Sequence, residues 1–205
     1  RIVTYARNSL GKVTSVTTQK NGTAAIDTVV SGIGWKPMAN LITGMTYGNG
    51  LVMGASYDND YRLTTMTLMN GATPVISLGY GYADALNLTA VNDNVTSANS
   101  VSLWYDQVRR LQNANGPWGA ATYYYTSVGD RSYEITTPPG GATTTKIQDY
   151  PATSNRIANV TTNGTLTRSF THDAAGNITV DVKGGDTFTT TYNVRNRPVT
   201  VVRTG

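Results

Sequence analysis

The chain contains no cysteine, which excludes disulfides, thiolate catalysis and the common zinc sites together. That absence does not fix a compartment, since exported bacterial proteins also do without cysteine. Histidine occurs once, and charged residues make up only 14% of the 205 positions. The hydrophobic share, 39%, lies below the usual apolar fraction. No apolar run approaches the roughly 20 residues that a spanning helix needs, so no transmembrane segment is expected in this chain. Net charge is +4, but Lys and Arg are scattered. The densest clusters, Arg109-Arg110 and Arg195 with Arg197, lie inside turn motifs. Nucleic acid is therefore not an expected partner, because phosphate affinity needs a concentrated basic surface. No signal peptide is visible and the first residue is Arg, so the chain is expected to be a fragment of a longer polypeptide.

Gly, Thr and Asn fill the gap left by charge and aliphatic bulk, which favours strands and turns over helices. Few stretches carry the Ala, Leu, Glu and Lys of a sturdy helix. The composition reads as all-β.

One short phrase returns along the sequence. "YDNDYRL" at Tyr57 is followed by "YADALNL" at Tyr82, "YDQVRRL" at Tyr105, "YTSVGDR" at Tyr125, "HDAAGNI" at His172 and "YNVRNRP" at Tyr192. "YARNSLGKV" at Tyr5 and "YPATSNRI" at Tyr150 fit with insertions. From Tyr57 onward the starts are 25, 23, 20, 25, 22 and 20 residues apart, the drift expected when strands stay fixed and hairpin ends vary. The aromatic is expected to end a strand and cover the turn below it. Asp58, Asp106 and Asp173 can each accept backbone N–H bonds from two residues on, forming an Asx turn. Gly129 and Gly176 can supply φ > 0 where the chain reverses, and Asn196 is a tolerable substitute. Tyr61, Leu86 and Arg109 occupy the same position and imply a different turn. Arg62, Asn87, Arg110, Asn177 and Arg197 then reopen the next strand.

Alternation follows each turn. "ITVDV" from Ile178 has a clean period of two, while the runs after Leu63 and Leu88 are imperfect and suggest a bulge or an edge position. "NG" in "MNGATPVISL" and "GG" in "VKGGDTF" mark tight hairpin returns. Each unit of about 20 to 25 residues thus reads as two strands and two turns, with about eight units over residues 1–205.

"MTYGNGLVMGASYDNDYRLTTMTL" (residues 45–68) and "HDAAGNITVDVKGGDTFTTTYNVRNRPVTVV" (172–202) resemble RHS/YD-repeat proteins, through a "YGNGL" hairpin followed by "YDxxxRL", a "YDxxGN" unit and a unit ending in "NRP". The resemblance covers nearly the whole chain and is weakest at residues 20–40 and 136–162. It implies stacked antiparallel β-hairpins forming a curved spiral sheet, a segment of a hollow shell of the kind found in bacterial polymorphic toxins, in the C component of Tc toxins and in teneurins. It further implies a non-enzymatic scaffold in a large secreted or surface protein. Its partners would be the rest of the shell and an enclosed toxin or effector. The "DPxG" marker of the family's aspartyl protease region is absent from these residues, so no catalytic residue carries over.

The chemistry-bearing residues read the same way. His172 stands where other units carry tyrosine, and no "GxSxG" accompanies it. Asp58, Asp106 and Asp173 recur at turns rather than as one paired set, and neither "YDND" nor "VNDNV" has the calcium-loop order with a distal Glu. No metal and no cofactor are expected. The site residues are accordingly those of the repeated turn: Tyr57, Asp58, Arg62, Tyr82, Tyr105, Asp106, Arg110, His172, Asp173, Gly176, Tyr192 and Arg197. The alternative function is glycan binding or cell adhesion by an exposed ladder of Tyr80, Tyr82, Trp104, Tyr105, Tyr123, Tyr124 and Tyr125, against the simpler use of those rings in stacking between strands.

Overall fold

Strand follows strand with almost no other element. The computed structural model describes residues 1–21, 24–84 and 87–205. It divides into two units, Arg1–Leu103 and Trp104–Gly205. In the first lie β1 (Ile2–Arg7), β2 (Val13–Gln19), β3 (Ile26–Trp35), β4 (Ile42–Tyr47), β5 (Val52–Tyr57), β6 (Leu63–Asn70), β7 (Thr73–Ala83) and β8 (Asn87–Asp93). A single 3₁₀ turn, Ser97–Asn99, leads into β9 (Val101–Tyr105), which runs into the second unit. There follow β10 (Leu111–Gly116), β11 (Gly119–Tyr125), β12 (Arg131–Thr137), β13 (Thr144–Asp149), β14 (Asn159–Thr162), β15 (Thr165–His172), β16 (Ile178–Lys183), β17 (Asp186–Tyr192) and β18 (Pro198–Thr204).

Within each unit every strand pairs antiparallel with the next in sequence: β1 to β9 in the first, β10 to β18 in the second. The fold is all-β, a succession of stacked hairpins. The tight returns form where the sequence places them. Gly184 and Gly185 link Lys183 to its partner Asp186 with φ of 61° and 94°, the doubly left-handed geometry of a hairpin loop whose twist matches its strands. Gly71, with φ 57°, opens the two-residue link from Asn70 to Thr73.

Hardly anything is buried. Ile33, Ala114 and Ala121 are the only buried apolar residues among those described, and no large side chain is wholly enclosed. The accessible surface is 13109 Å². Stability therefore rests on ladder hydrogen bonds and cross-strand neighbours, not on a packed interior. In β1 and β18 every residue is exposed.

One irregularity recurs and fixes where each turn sits. Ser56 faces Thr65 but Tyr57 faces Leu63, so Thr64 is an extra residue, a β-bulge. The same step leaves Thr14, Thr89, Ser132, Thr179 and Val199 as the extra residue in their strands. A hydroxyl is useful there: Thr179 donates to the Thr171 carbonyl at 3.2 Å and Ser132 to that of Tyr124 at 3.4 Å. The bulges account for the broken alternation after Leu63 and Leu88. "ITVDV" carries one too, so its clean period of two does not reflect uninterrupted pairing.

Candidate functional site: a repeated turn and its clasp

The turn takes one form at six of the repeats, while the one after Tyr150 differs, closing with Ser154 N–H on the Pro151 carbonyl at 3.0 Å. Asp58 N–H donates to the Arg62 carbonyl at 3.0 Å and Tyr61 N–H to the Asp58 carbonyl at 3.2 Å. Turns beginning at Asn8, Asp106, Thr126, Asp173 and Asn193 repeat both bonds at 2.7–3.1 Å. The fourth residue always has φ > 0: Gly11, Tyr61, Arg109, Gly129, Gly176 and Asn196, at 75°, 62°, 66°, 99°, 94° and 56°. The expectation that Tyr61 and Arg109 imply a different turn is thereby corrected. Their side chains point from exposed tips, and the surrounding hydrogen bonds hold them in the left-handed region despite its cost for L-residues. Leu86, placed in the same class, lies outside the described residues.

The first side chain locks the loop. Asp58 Oδ1 accepts from the N–H groups of Asp60 and Arg62, both at 2.9 Å. Asp106 does the same with Val108 and Arg110, and the neutral Asn8 and Asn193 show that the acceptor, not the charge, makes this part of the turn. The second carboxylate oxygen has a separate use. Asp58 Oδ2 takes Arg62 Nε at 2.7 Å, Asp106 Oδ2 takes Arg110 Nε at 2.6 Å, and Asp173 Oδ2 takes the Asn177 amide at 2.9 Å. Partial burial alone would raise the Asp58 and Asp106 carboxyls, but the bonds from Arg62 and Arg110 outweigh it and hold both below the ordinary range. In Asp173 the Asn177 side chain and backbone have the same effect.

From this turn an arginine and a tyrosine reach toward each other across adjacent strands. Tyr82, near the end of β7, donates its hydroxyl to the carbonyl of Leu63, the first residue of β6, at 2.8 Å. Tyr57 does so to Ile42 at 2.9 Å, Tyr125 to Leu111 at 2.7 Å, and Tyr192 to Ile178 at 2.9 Å. Tyr150, just beyond β13, reaches Arg131 at 3.1 Å. The arginine before the accepting residue covers the incoming ring: Arg62 lies 4.9 Å over Tyr82 and Arg110 4.5 Å over Tyr125. Arg62 also donates to the Asp84 carbonyl, and Arg110 to that of Thr126 at 3.3 Å, both in the next turn along. These two turns are thus stapled to the next along.

The sequence reading missed one member of this series. Trp35 donates its indole N–H to the Val13 carbonyl at 2.8 Å, with the Lys12 ammonium 5.0 Å from its ring. Lys12, Val13 and Trp35 play the parts of Arg62, Leu63 and Tyr82. The available signal was spacing, since Trp35 precedes Tyr57 by 22 residues. Conversely, Tyr5 does not occupy the clasp position: the residue before the Asn8 turn is Arg7, which pairs across the bulge with Val13.

The remaining candidates are placed as follows. Tyr105 ends β9, and Arg197 closes the last turn before Pro198. His172 ends β15 opposite Ile178, as Tyr57 ends β5 opposite Leu63, with its ring 6.4 Å from Phe170. Asp93 accepts from the N–H groups of Val95 and Thr96 at 2.9 and 2.8 Å, which lowers its carboxyl and makes it the anchor of the link to the 3₁₀ turn. Among the described residues no three His, Cys, Asp or Glu side chains converge as metal ligands, and no helix is long and apolar enough to cross a membrane. The aromatic residues of β11 do not form one ladder. Strand alternation puts Tyr123 and Tyr125 on one face and Tyr124 on the other, where it meets Tyr133 edge-on at 5.6 Å.

No protein-family model matches the chain, and no curated protein matches it. Solved structures do. The Tc holotoxin pore of Photorhabdus luminescens superposes with a TM-score of 0.64 at 13% identity, over 96% of this chain and 12% of that one. The TcdB2–TccC3 complex gives a TM-score of 0.64 at 13% identity, over 98% of this chain and 13% of that one. The TcdB2–TccC3–Cdc42 structure gives 0.63, again at 13% identity. The chain has the fold of a segment of these toxin assemblies. It is the all-β hairpin array that the RHS/YD resemblance implied, and it spans about an eighth of the toxin chains it matches.

Proposed function

We propose that the chain is a wall segment of a hollow β-shell, a non-enzymatic scaffold within a large secreted or surface protein that encloses a toxin or effector module. The observation that carries this reading is the clasp joining each turn to the next, in strands that bury almost no core. A sheet of this kind is built to be extended, because each added hairpin finds the same carbonyl and the same cation waiting. The likeness to Tc-toxin chains supports a shell as the larger structure. The recurring carboxylates are spent on turn N–H groups and on Arg62, Arg110 or Asn177, which favours a structural over a catalytic role. Electron cryo-microscopy of the full polypeptide containing these residues tests the proposal. These strands should lie in the wall of a hollow body, with the enclosed module resistant to protease until the shell is opened. A compact body without a lumen, or a module cut at the same rate in both states, would overturn it.

A further inference from the structure

The turn at residues 126–130 inverts a charge that its counterparts share. Where a ring bonds back to a strand carbonyl, the residue before that carbonyl is Lys12 for Trp35, Arg62 for Tyr82 and Arg110 for Tyr125. Their cations lie 5.0, 4.9 and 4.5 Å from the three rings. Tyr150 bonds back to Arg131, and the residue before it is Asp130. The carboxylate makes itself felt on the ring. Burial pushes the Tyr150 hydroxyl up and the Asp130 charge adds to the rise, against a smaller opposing effect of Arg131.

The space that a cation would fill is open. A cleft of about 540 Å³ lies between this turn and residues 151–155 of the second unit, with Thr126, Val128, Asp130, Tyr150, Pro151 and Ser154 among its lining. Asp130 is the one charged residue of that lining among those described. Its backbone closes the turn, accepting from Thr126 N–H at 2.7 Å and donating to Thr126 Oγ1 at 3.0 Å. Its carboxylate has no hydrogen-bond or ion-pair partner among the described residues. The flanking arginines are committed elsewhere. Arg131 bonds Glu134 at 3.3 Å and lies 5.5 Å over Tyr123, while Arg156 donates to the Asp173 and Ala174 carbonyls at 2.8 and 3.3 Å.

We propose that this cleft binds a guanidinium group from outside the chain, its N–H fork on the Asp130 carboxylate and its plane against the Tyr150 ring, in the place that Arg62 and Arg110 fill from within. The unpaired carboxylate sets the sign of the ligand. The ring beside it selects a planar cation, since a guanidinium both forks onto a carboxylate and stacks on an aromatic face. A calcium ion is disfavoured, because it takes about six to eight oxygens and no three acidic or histidine side chains converge here among the described residues. The cleft is of a size that admits a small molecule or one long side chain. A free guanidinium compound and an arginine of a polypeptide present the same group, and the test separates them. The inference is independent of the shell reading.

The test is an NMR titration of the protein with ethylguanidinium, with acetyl-Gly-Arg-Gly-amide and with acetyl-Gly-Lys-Gly-amide. Amide shifts should move at residues 126–130 and 150–155. Asp130→Asn should weaken binding about tenfold, the loss of one hydrogen-bonded charge. That variant should keep the wild-type urea midpoint, because the carboxylate takes no part in the turn and Asn177 holds the same position in its own. Asp130→Arg, which supplies the guanidinium from the chain as Arg62 and Arg110 do, should abolish binding. Equal affinity for ethylguanidinium and the arginine peptide would support a free compound as the source, and tighter binding of the peptide a polypeptide arginine. Three results would overturn the proposal: no shifts at these residues with either guanidinium probe, undiminished affinity in Asp130→Asn, or the lysine peptide binding as tightly as the arginine one.

Discussion

Arg62 lays its guanidinium 4.9 Å from the centre of the Tyr82 ring, while the hydroxyl of that ring closes on Leu63, the residue next to Arg62, at 2.8 Å. A planar cation fits here where a compact one does not, because the same group also bonds Asp58 through Nε and the Asp84 carbonyl through a terminal nitrogen. Arg62→Lys should therefore lower the urea midpoint of unfolding despite keeping the charge, and Arg110→Lys should do likewise. A midpoint equal to wild type would show that charge alone suffices.

Tyr61 and Arg109 pay a conformational cost that their counterparts Gly129 and Gly176 avoid. Tyr61→Gly and Arg109→Gly are each expected to raise stability by about 0.5–1 kcal/mol, the left-handed penalty less the extra chain entropy of glycine. Thermal melting decides it, and a lower Tm in both variants would mean that the exposed side chains contribute contacts that outweigh the strain.

His172 fills a clasp position without a hydroxyl. Arg156 donates to the Asp173 carbonyl at 2.8 Å as Arg110 does to that of Thr126, so Ile157 is the counterpart of Leu111, and His172→Tyr should place a hydroxyl near its carbonyl and gain about 0.5–1.5 kcal/mol. Denaturant unfolding of the variant measures this, and no gain would show that this hairpin is spaced differently from the others.

Asp58, Asp106 and Asp173 have carboxyls held below the unfolded value near 4. A depressed folded-state pKa contributes stability that is fully present above the unfolded value. It is lost as pH falls through the folded one. Stability should accordingly decline below about pH 4. Asp106→Asn keeps the acceptor that Asn8 and Asn193 use but not the charge, so its urea midpoint should fall less steeply between pH 4 and pH 2. An acid limb parallel to wild type would remove the carboxylate–arginine bond from the account.

Much of this architecture is legible in the sequence because its determinants are local. An Asp that bonds N–H groups two and four residues on, a residue with φ > 0 between them, and a Gly-Gly hairpin all act within five positions. What stayed hidden depends on register between strands. The bulge at Thr179 is invisible in a sequence that alternates perfectly, since only the pairing of His172 with Ile178 reveals it. The bidentate bond of Arg168 to Asp181, at 2.8 and 2.6 Å, joins residues whose adjacency is set by β15 and β16 lying side by side. Trp35 was missed because its turn, from Lys36 to Leu41, is one residue longer than the others and lacks an Asp. At Tyr61 and Arg109 residue preference points away from φ > 0, and the hydrogen bonds across each turn overrule it.

The claim beneath all of this is that tyrosine clasps, rather than a buried core, hold successive hairpins together. Tyr57→Phe, Tyr82→Phe, Tyr125→Phe and Tyr192→Phe remove one hydroxyl each and leave the rings in place. Urea unfolding of the four single variants and of their combination measures the claim directly. Each substitution should cost about 0.5–1.5 kcal/mol and the combination roughly their sum, as expected where each repeat contacts only its neighbours. A fourfold variant that unfolds at the wild-type urea concentration would contradict it.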